Sequence, residues 1–327
     1  MSGLYPLKFK PVYLEKIWGG TRMKTLLNKD FNDVVNCGES WEISGVEENV
    51  SVVQNGFLQG NNLNELIEIY MGDLVGDKVY DKFGIEFPLL IKFIDAGDDL
   101  SVQVHPNDKL ARDRHNAFGK TEMWYVIDAE KGARINCGFN QTVSREKYLE
   151  YLESGRLTEL LRFDEAKAGD VFFVPAGTIH SIGKEILLAE IQQTSDVTYR
   201  IFDYHRKDAN GNYRELHTDL ALDAIDFSEN NEPIVNYSAE KNSSSEILSC
   251  NYFTTNILEF DRMIEKDYFE LDSFVIYITI SGNFKVETEQ EKVTVKQGET
   301  ILLPANTNMV NLVPESKEVK LLEVFIK

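Results

Sequence analysis

The stretch that most constrains this 327-residue chain is Gly169-Asp-Val-Phe-Phe-Val-Pro-Ala-Gly-Thr-Ile-His180. Val171, Phe172, Phe173 and Val174 read as a short strand. Pro175 has no N–H to give to a ladder, so the strand must end or bulge there. Gly177 opens a turn that a side chain would block, and the turn fixes where His180 points. Taken alone, the turn also reads as a hairpin closure with His180 as its satisfied partner. A second segment, Gly97-Asp-Asp-Leu-Ser-Val-Gln-Val-His-Pro106, shifts that balance. Here Leu100, Val102 and Val104 alternate with Ser101, Gln103 and His105, so a strand of period two places the three polar residues on one face.

Glu122 opens a further apolar strand in Lys120-Thr-Glu-Met-Trp-Tyr-Val-Ile127. Gln103, His105, Glu122 and His180 then form a nitrogen and oxygen donor set. Two imidazoles, a carboxylate and an amide oxygen suit zinc, or a related divalent metal, with a coordination position left open. Singly, Glu122 also reads as a solvated strand-edge carboxylate and Gln103 as a surface amide; the order of the four favours a shared site.

The spacing Gly97-x5-Gln103-x-His105, then Glu122, then Gly169-x5-Pro175-x-Gly177-x2-His180 resembles the two motifs of the cupin superfamily, with Gln103 where the first motif usually has His. Ile17-Trp-Gly-Gly20, Gly38-Glu-Ser-Trp-Glu42, Pro88-Leu-Leu-Ile-Lys-Phe93, Gln103-Val-His-Pro106 and Lys120-Thr-Glu-Met123 extend the likeness. In combination they resemble the type I mannose-6-phosphate isomerases of the short bacterial form, from about Pro11 to Tyr204 and more faintly beyond.

That resemblance implies a mainly β chain of two cupin-type jelly-roll β-barrels with a small helical insertion. Residues 1–235 would form the metal-binding catalytic domain, and 236–327 a degenerate cupin-like domain without metal ligands. It implies Gln103, His105, Glu122 and His180 as ligands of one Zn2+ per chain, the neutral amide being the weakest donor. Arg200, Lys120 and Glu190 take catalytic roles, and Lys92, Ser101 and Arg206 hold substrate. Arg200 also reads as a salt-bridge partner of Asp196 or Asp203. Lys120 lies two residues before Glu122, hence on the same strand face, and also reads as a solvated lysine. The implied activity is zinc-dependent interconversion of D-mannose 6-phosphate and D-fructose 6-phosphate through an enediol. The alternative is a non-catalytic sugar- or metal-binding cupin, which would be free to lose Lys120 or Arg200.

The formal net charge of −20 argues against a nucleic-acid partner held on a broad basic face. It also sets a condition on the implied substrate. An acidic protein binds a phosphate monoester only where local positive charge overcomes the global field, so Lys92, Lys120, Arg200 and Arg206 must be concentrated. No apolar run reaches the roughly 18 residues of a membrane span, and the N-terminus lacks the basic-then-apolar form of a signal peptide. Cys37, Cys137 and Cys250 are too few and too scattered for a disulfide framework or a thiolate zinc site. These features lead to the expectation of a cytoplasmic protein, monomeric or weakly dimeric, with a small sugar phosphate as its partner.

Two helices are expected. Leu63, Leu66, Ile67 and Tyr70 recur at helical spacing within residues 63–83, capped by Asn61 or Asn62. Tyr148, Leu149, Leu152 and Leu157 mark a second helix over residues 144–161, capped by Ser144 or Thr142. A weak repeat aligns Lys167–His180 with Lys296–Met309, placing Met309 where His180 stands and leaving the second copy without its ligand. Residues 228–246, rich in Asn, Ser and Glu, read as the linker or as a long surface loop.

Overall fold

The computed structural model describes residues 3–31, 33–207, 210–228 and 232–327; three positions of the expected linker, 229–231, lie outside them. The chain is mostly strand, in four sheets. A six-stranded sheet runs in the order Val171–Val174, Glu122–Ala129, Ile186–Gln193, Leu89–Ala96, Val12–Gly20, Cys37–Ile43. It packs against a five-stranded sheet ordered Tyr199–Phe202, Val102–Val104, His180–Ile182, Arg134–Phe139, Leu161–Glu165. Trp124, Phe172 and Ile186 of the first share one apolar cluster with Ile135, Cys137 and Ile182 of the second. As the motif requires, the strand Val171–Val174 stops before Pro175.

The C-terminal half repeats this plan. Ser244–Ser249, Thr254–Phe260, Val319–Phe325, Val275–Ser281 and Thr300–Leu303 form one sheet, joined at its far edge by the N-terminal strands Leu7–Lys10 and Val52–Val53. Ile264–Asp267, Met309–Pro314, Phe284–Glu287 and Lys292–Val295 form the sheet facing it. The expected jelly rolls are thus pairs of open sheets rather than closed cylinders. The two larger sheets also stack on one another. Ile91, Phe93, Ala189 and Ile191 meet Ile257, Ile276, Ile278 and Leu322 in the main core. Strands Leu89–Ala96 and Ile186–Gln193 are therefore covered on both faces, and every residue in them is buried. Double coverage explains why apolar residues stand on both faces of these strands, and why Lys92 and Glu190 are buried with them.

The first helical region departs from expectation. Residues 63–83 form three short helices, Leu63–Tyr70, Gly72–Val75 and Asp77–Phe83. The breaks fall at Met71 (φ 47°) and Gly76 (φ 97°), backbone that an α-helix cannot accommodate. The last of the three is anchored from the other half of the molecule: the Asp272 carboxylate accepts from the backbone N–H groups of Asp77 (2.7 Å) and Lys78 (3.1 Å). Asn62 caps the first helix reciprocally with Glu65. The second region is a helix over Arg145–Glu153 capped by Ser144, followed by a separate 3₁₀ turn at Leu157–Leu160.

Candidate active site

The six-stranded sheet carries a row of inward side chains set by cross-strand register: Trp41 opposite Lys92, Lys92 opposite Glu190, Glu190 opposite Trp124. On the facing sheet, Gln103 lies opposite His180 on one side and Arg200 on the other. Between the sheets His105, Glu122 and His180 converge, each fully buried, with one donor atom apiece, all within 4.8 Å of one another. His105 Nε2 is 3.2 Å from Glu122 Oε1, and His180 Nε2 is 3.9 Å from Glu122 Oε2.

Both imidazoles are locked from behind. His105 Nδ1 lies 3.0 Å from the Val197 carbonyl, and His180 Nδ1 2.8 Å from that of Thr178. A carbonyl only accepts, so each Nδ1 carries the proton and each Nε2 turns a lone pair inward. Burial, and after it the Lys120 ammonium, lowers the His105 pKa to about 3. His180 is lowered by burial as well. Both rings are thus held as neutral donors. Burial opposes the charge on Glu122, but the Lys120 ammonium outweighs it and holds the carboxyl well below the usual range. Lys120 Nζ is 3.0 Å from Glu122 Oε1 and 3.3 Å from His105 Nε2. Neither Glu122 oxygen has a partner in hydrogen-bond geometry among the described residues. A buried carboxylate with unfilled acceptors beside two inward lone pairs fits a divalent cation.

Gln103 presents its amide nitrogen to His180 Nε2 at 3.2 Å. A half-turn of the amide exchanges that nitrogen for the carbonyl oxygen. Gln103 and Lys120, both touching the triad, also line a cavity of about 230 Å³ together with Trp18, Trp41, Lys92, Ser101, Glu190 and Arg200. Nine of the ten expected site residues therefore gather in or directly behind one cavity. Arg206 does not line it; its guanidinium is turned to Asp203 and to the Asp99 carbonyl. A larger hollow of about 570 Å³ beside Arg134, Thr158 and Tyr204 has no imidazole in its lining and gathers no comparable donor set.

Three cavity residues were given no role on sequence grounds: Lys16, Glu39 and Arg214. The signal for Glu39 was present, since Glu39 and Trp41 alternate within Gly38–Glu42 and must share a face. Charges alternate along this wall. Lys16 Nζ is 3.0 Å from Glu39, and Lys92 Nζ is 4.0 Å from Glu39 and 3.1 Å from Glu190. Against the cost of burial, Lys92 and Lys16 hold Glu39 down at about 2. Glu190 shifts the other way, raised by burial and then by the Glu122 charge. Glu190 Oε2 accepts from Trp124 Nε1 at 2.9 Å, while Oε1 accepts no hydrogen bond among the described residues. Trp124 and Trp41 thus combine packing with polar work, Trp41 Nε1 donating to Glu39 at 2.7 Å.

Comparison with known proteins matches residues 6–134 to the type I phosphomannose isomerase catalytic domain and residues 244–319 to the mannose-6-phosphate isomerase cupin domain. The chain is 39% identical to the mannose-6-phosphate isomerase ManA of Bacillus subtilis, over 91% of this chain and 93% of that protein. The chain belongs to the type I phosphomannose isomerase family. A Streptococcus mutans mannose-6-phosphate isomerase is 34% identical, over 91% of this chain and 92% of that protein. The crystal structure of the Bacillus subtilis mannose 6-phosphate isomerase superposes with a TM-score of 0.88 at 31% identity, covering 98% of this chain and 99% of that one.

Register relates the candidate site to the corresponding positions of the C-terminal half. Glu323 lies opposite Asn256 and Tyr277, as Glu190 lies opposite Lys92 and Trp124. Lys266 lies opposite Val310, as Gln103 lies opposite His180. The sequence alignment had matched Met309 to His180, but Met309 is 42% exposed and Val310 takes the inward place, a slip of one residue after Pro304. A carboxylate survives in this half and a lysine ammonium faces it: Lys266 Nζ is 2.7 Å from Glu323 Oε1. Asn256 (2.7 Å), Ser244 (2.9 Å) and Tyr268 complete its shell.

Proposed function

We propose that this enzyme interconverts D-mannose 6-phosphate and D-fructose 6-phosphate through an enediol, with one Zn2+ per chain held by His105, Glu122, His180 and, after the amide half-turn, Gln103. The observation that carries the reading is the convergence of two locked neutral imidazoles and a buried carboxylate, beside Lys120 but with no partner in hydrogen-bond geometry among the described residues, at the inner end of a cation-lined cavity. A divalent cation held by these residues would supply Lewis acidity to the reacting carbonyl. The chain's own groups do the rest. Glu190, raised in pKa and with Oε1 accepting no hydrogen bond among the described residues, removes the proton from the carbon beside the carbonyl and returns it to the neighbouring carbon. Lys92, 3.1 Å from that oxygen, orients it and steadies its charge. Lys120 and Arg200 balance negative charge on the substrate oxygens, and Ser101 lies within reach as a hydroxyl partner. Residues 1–235 do the chemistry and 236–327 support them, although Leu7–Lys10 pairs with Thr300–Leu303 across that division. The protein acts in the cytoplasm as a monomer or weak homodimer; no helix among the described residues is long and apolar enough to cross a membrane.

A coupled assay on mannose 6-phosphate tests this. Turnover should vanish with a chelator and return with Zn2+, and His180→Ala should lose both metal and activity. No turnover in the metal-replete protein would leave the alternative, a non-catalytic sugar- or metal-binding cupin.

A further inference from the structure

Among the cations of the cavity region, Lys16, Lys92 and Lys120 each sit within 4 Å of a carboxylate of the wall or the metal triad. The arginines are arranged differently. Arg200, Arg206 and Arg214 surround a single buried carboxylate, Asp203. Arg206 gives Nη2 to Asp203 (2.6 Å) and Nη1 to the Asp99 carbonyl, with Asp98 3.5 Å away. Its Nε is buried without a hydrogen-bond partner among the described residues, and no part of it lines the cavity. Arg214 binds the same carboxylate side-on through Nε (2.7 Å) and Nη2, yet lines the cavity. A guanidinium has five N–H donors, and side-on pairing uses one edge, leaving the Nη1 edge to face elsewhere. Arg200 gives Nη1 to the Glu215 carbonyl (2.8 Å) and keeps a buried Nε without a hydrogen-bond partner among the described residues. Burial, and next the charge of Arg214, disfavours the Arg200 cation. Two like charges at one cavity wall, with an unfilled buried donor between strands, call for an anion of high charge.

We propose that Arg214, oriented by Asp203 and acting beside Arg200, is the residue that grips the phosphate group of the substrate, and that Arg206 is a positioning residue acting only through Asp203. The inference rests on the isomerase reading for the identity of the ligand and on the cavity geometry for the residue. The chemistry agrees with it. C6, which bears the phosphate, is at the opposite end of the carbon chain from C1 and C2, so its receptor must share the cavity without crowding the metal triad. Arg200 and Arg214 meet that condition, because Gln103 separates Arg200 from His180 in register. Arg-to-phosphate pairing is bidentate and planar, so it discriminates a phosphate from a sugar hydroxyl.

The test uses the zinc-loaded full chain with inorganic phosphate as probe, measured by calorimetry and as a competitive inhibitor. Arg214→Ala and Arg214→Gln should each weaken phosphate binding at least tenfold and raise KM for the sugar phosphate more than they lower kcat, with metal content unchanged. Arg206→Ala should change phosphate binding less than threefold. A larger loss in Arg206→Ala than in Arg214→Gln would overturn the assignment, and so would unaltered binding in both Arg214 variants or no measurable binding to the wild type. If the wild type binds phosphate through Arg214 but does not interconvert the hexose phosphates, the isomerase reading fails and the anion site stands.

Discussion

At the scale of residues, the site depends on side chains held in one protonation state by what lies behind them. His105 is neutral in the folded chain because burial lowers its pKa from 6.5 to about 3. An unfolded chain takes up that proton below about pH 6.5. The stabilisation is therefore complete above about 6.5 and drains away as the pH falls toward 3. The depressed Glu122 carboxyl adds a loss of the same sign in stronger acid. Metal-stripped protein should melt at progressively lower temperature between about pH 6.5 and 4, and His105→Gln should flatten that slope. A melting temperature that is level over this range would show that the imidazole is not buried as described. His217 braces Arg200 from behind through its backbone. Its Nδ1 accepts the Arg200 backbone N–H (3.1 Å), and its own N–H returns to the Arg200 carbonyl (2.7 Å). One such hydrogen bond is worth about 1 kcal/mol, so His217→Ala should cost about fivefold in kcat/KM. His217→Asn, which keeps an acceptor, should recover most of it; equal losses would mean that ring packing alone matters. The convergence of His105, Glu122 and His180 was readable in the sequence because period-two alternation and a Pro-x-Gly turn are local rules. Choosing between Arg206 and Arg214 was not, since both sit in a loop whose course is set by left-handed backbone at Tyr204 and His205 and by a shared partner, Asp203.

At the scale of elements, glycine governs how closely strands approach behind the site. A Cβ on Gly19 would stand 1.9 Å from the Asn36 carbonyl oxygen, which is backbone and has nowhere to go. Gly19→Ala should cost about 1–3 kcal/mol and shift Trp18, which lines the cavity. Thermal melting and kcat/KM should fall together; an unchanged melting temperature would refute the close approach. The Ile17–Gly20 motif thus has a steric reason in addition to any chemical one. The helical region 63–83 shows the opposite limit of sequence reading. Its periodicity was real, as buried Leu63, Leu66 and Ile67 attest. The break at Gly76 is imposed from nearly two hundred residues away, where the Asp272 carboxylate takes the freed N–H groups. Helix periodicity carries no trace of a partner that far along the chain.

At the scale of the whole molecule, two sheet pairs of one plan have been given different interiors. The repeat was visible around Pro175 and Pro304, but the single-residue slip that turns Met309 outward appears only once strand register is known. In the second half, Glu323 is buried and charged, its pKa held down against burial chiefly by Lys266. Removing one partner of a buried pair costs about 3–5 kcal/mol. Lys266→Met should therefore destabilise the protein by that order in denaturant titration while leaving bound metal unchanged. Metal loss in that variant would mean that the halves are coupled through their interiors. Replacing both, Lys266→Met with Glu323→Leu, should restore part of the stability.

The ammonium of Lys266 is tethered to the backbone by its own side chain. Unlike a captured ion, it cannot be stripped by a competitor or lost on dilution. On the proposed reading of the first half as the metal-holding one, the second needs no trace element and keeps a finished scaffold against which the first can reload. Starvation for metal should silence the protein without dismantling it, and resupply should revive existing copies without new synthesis.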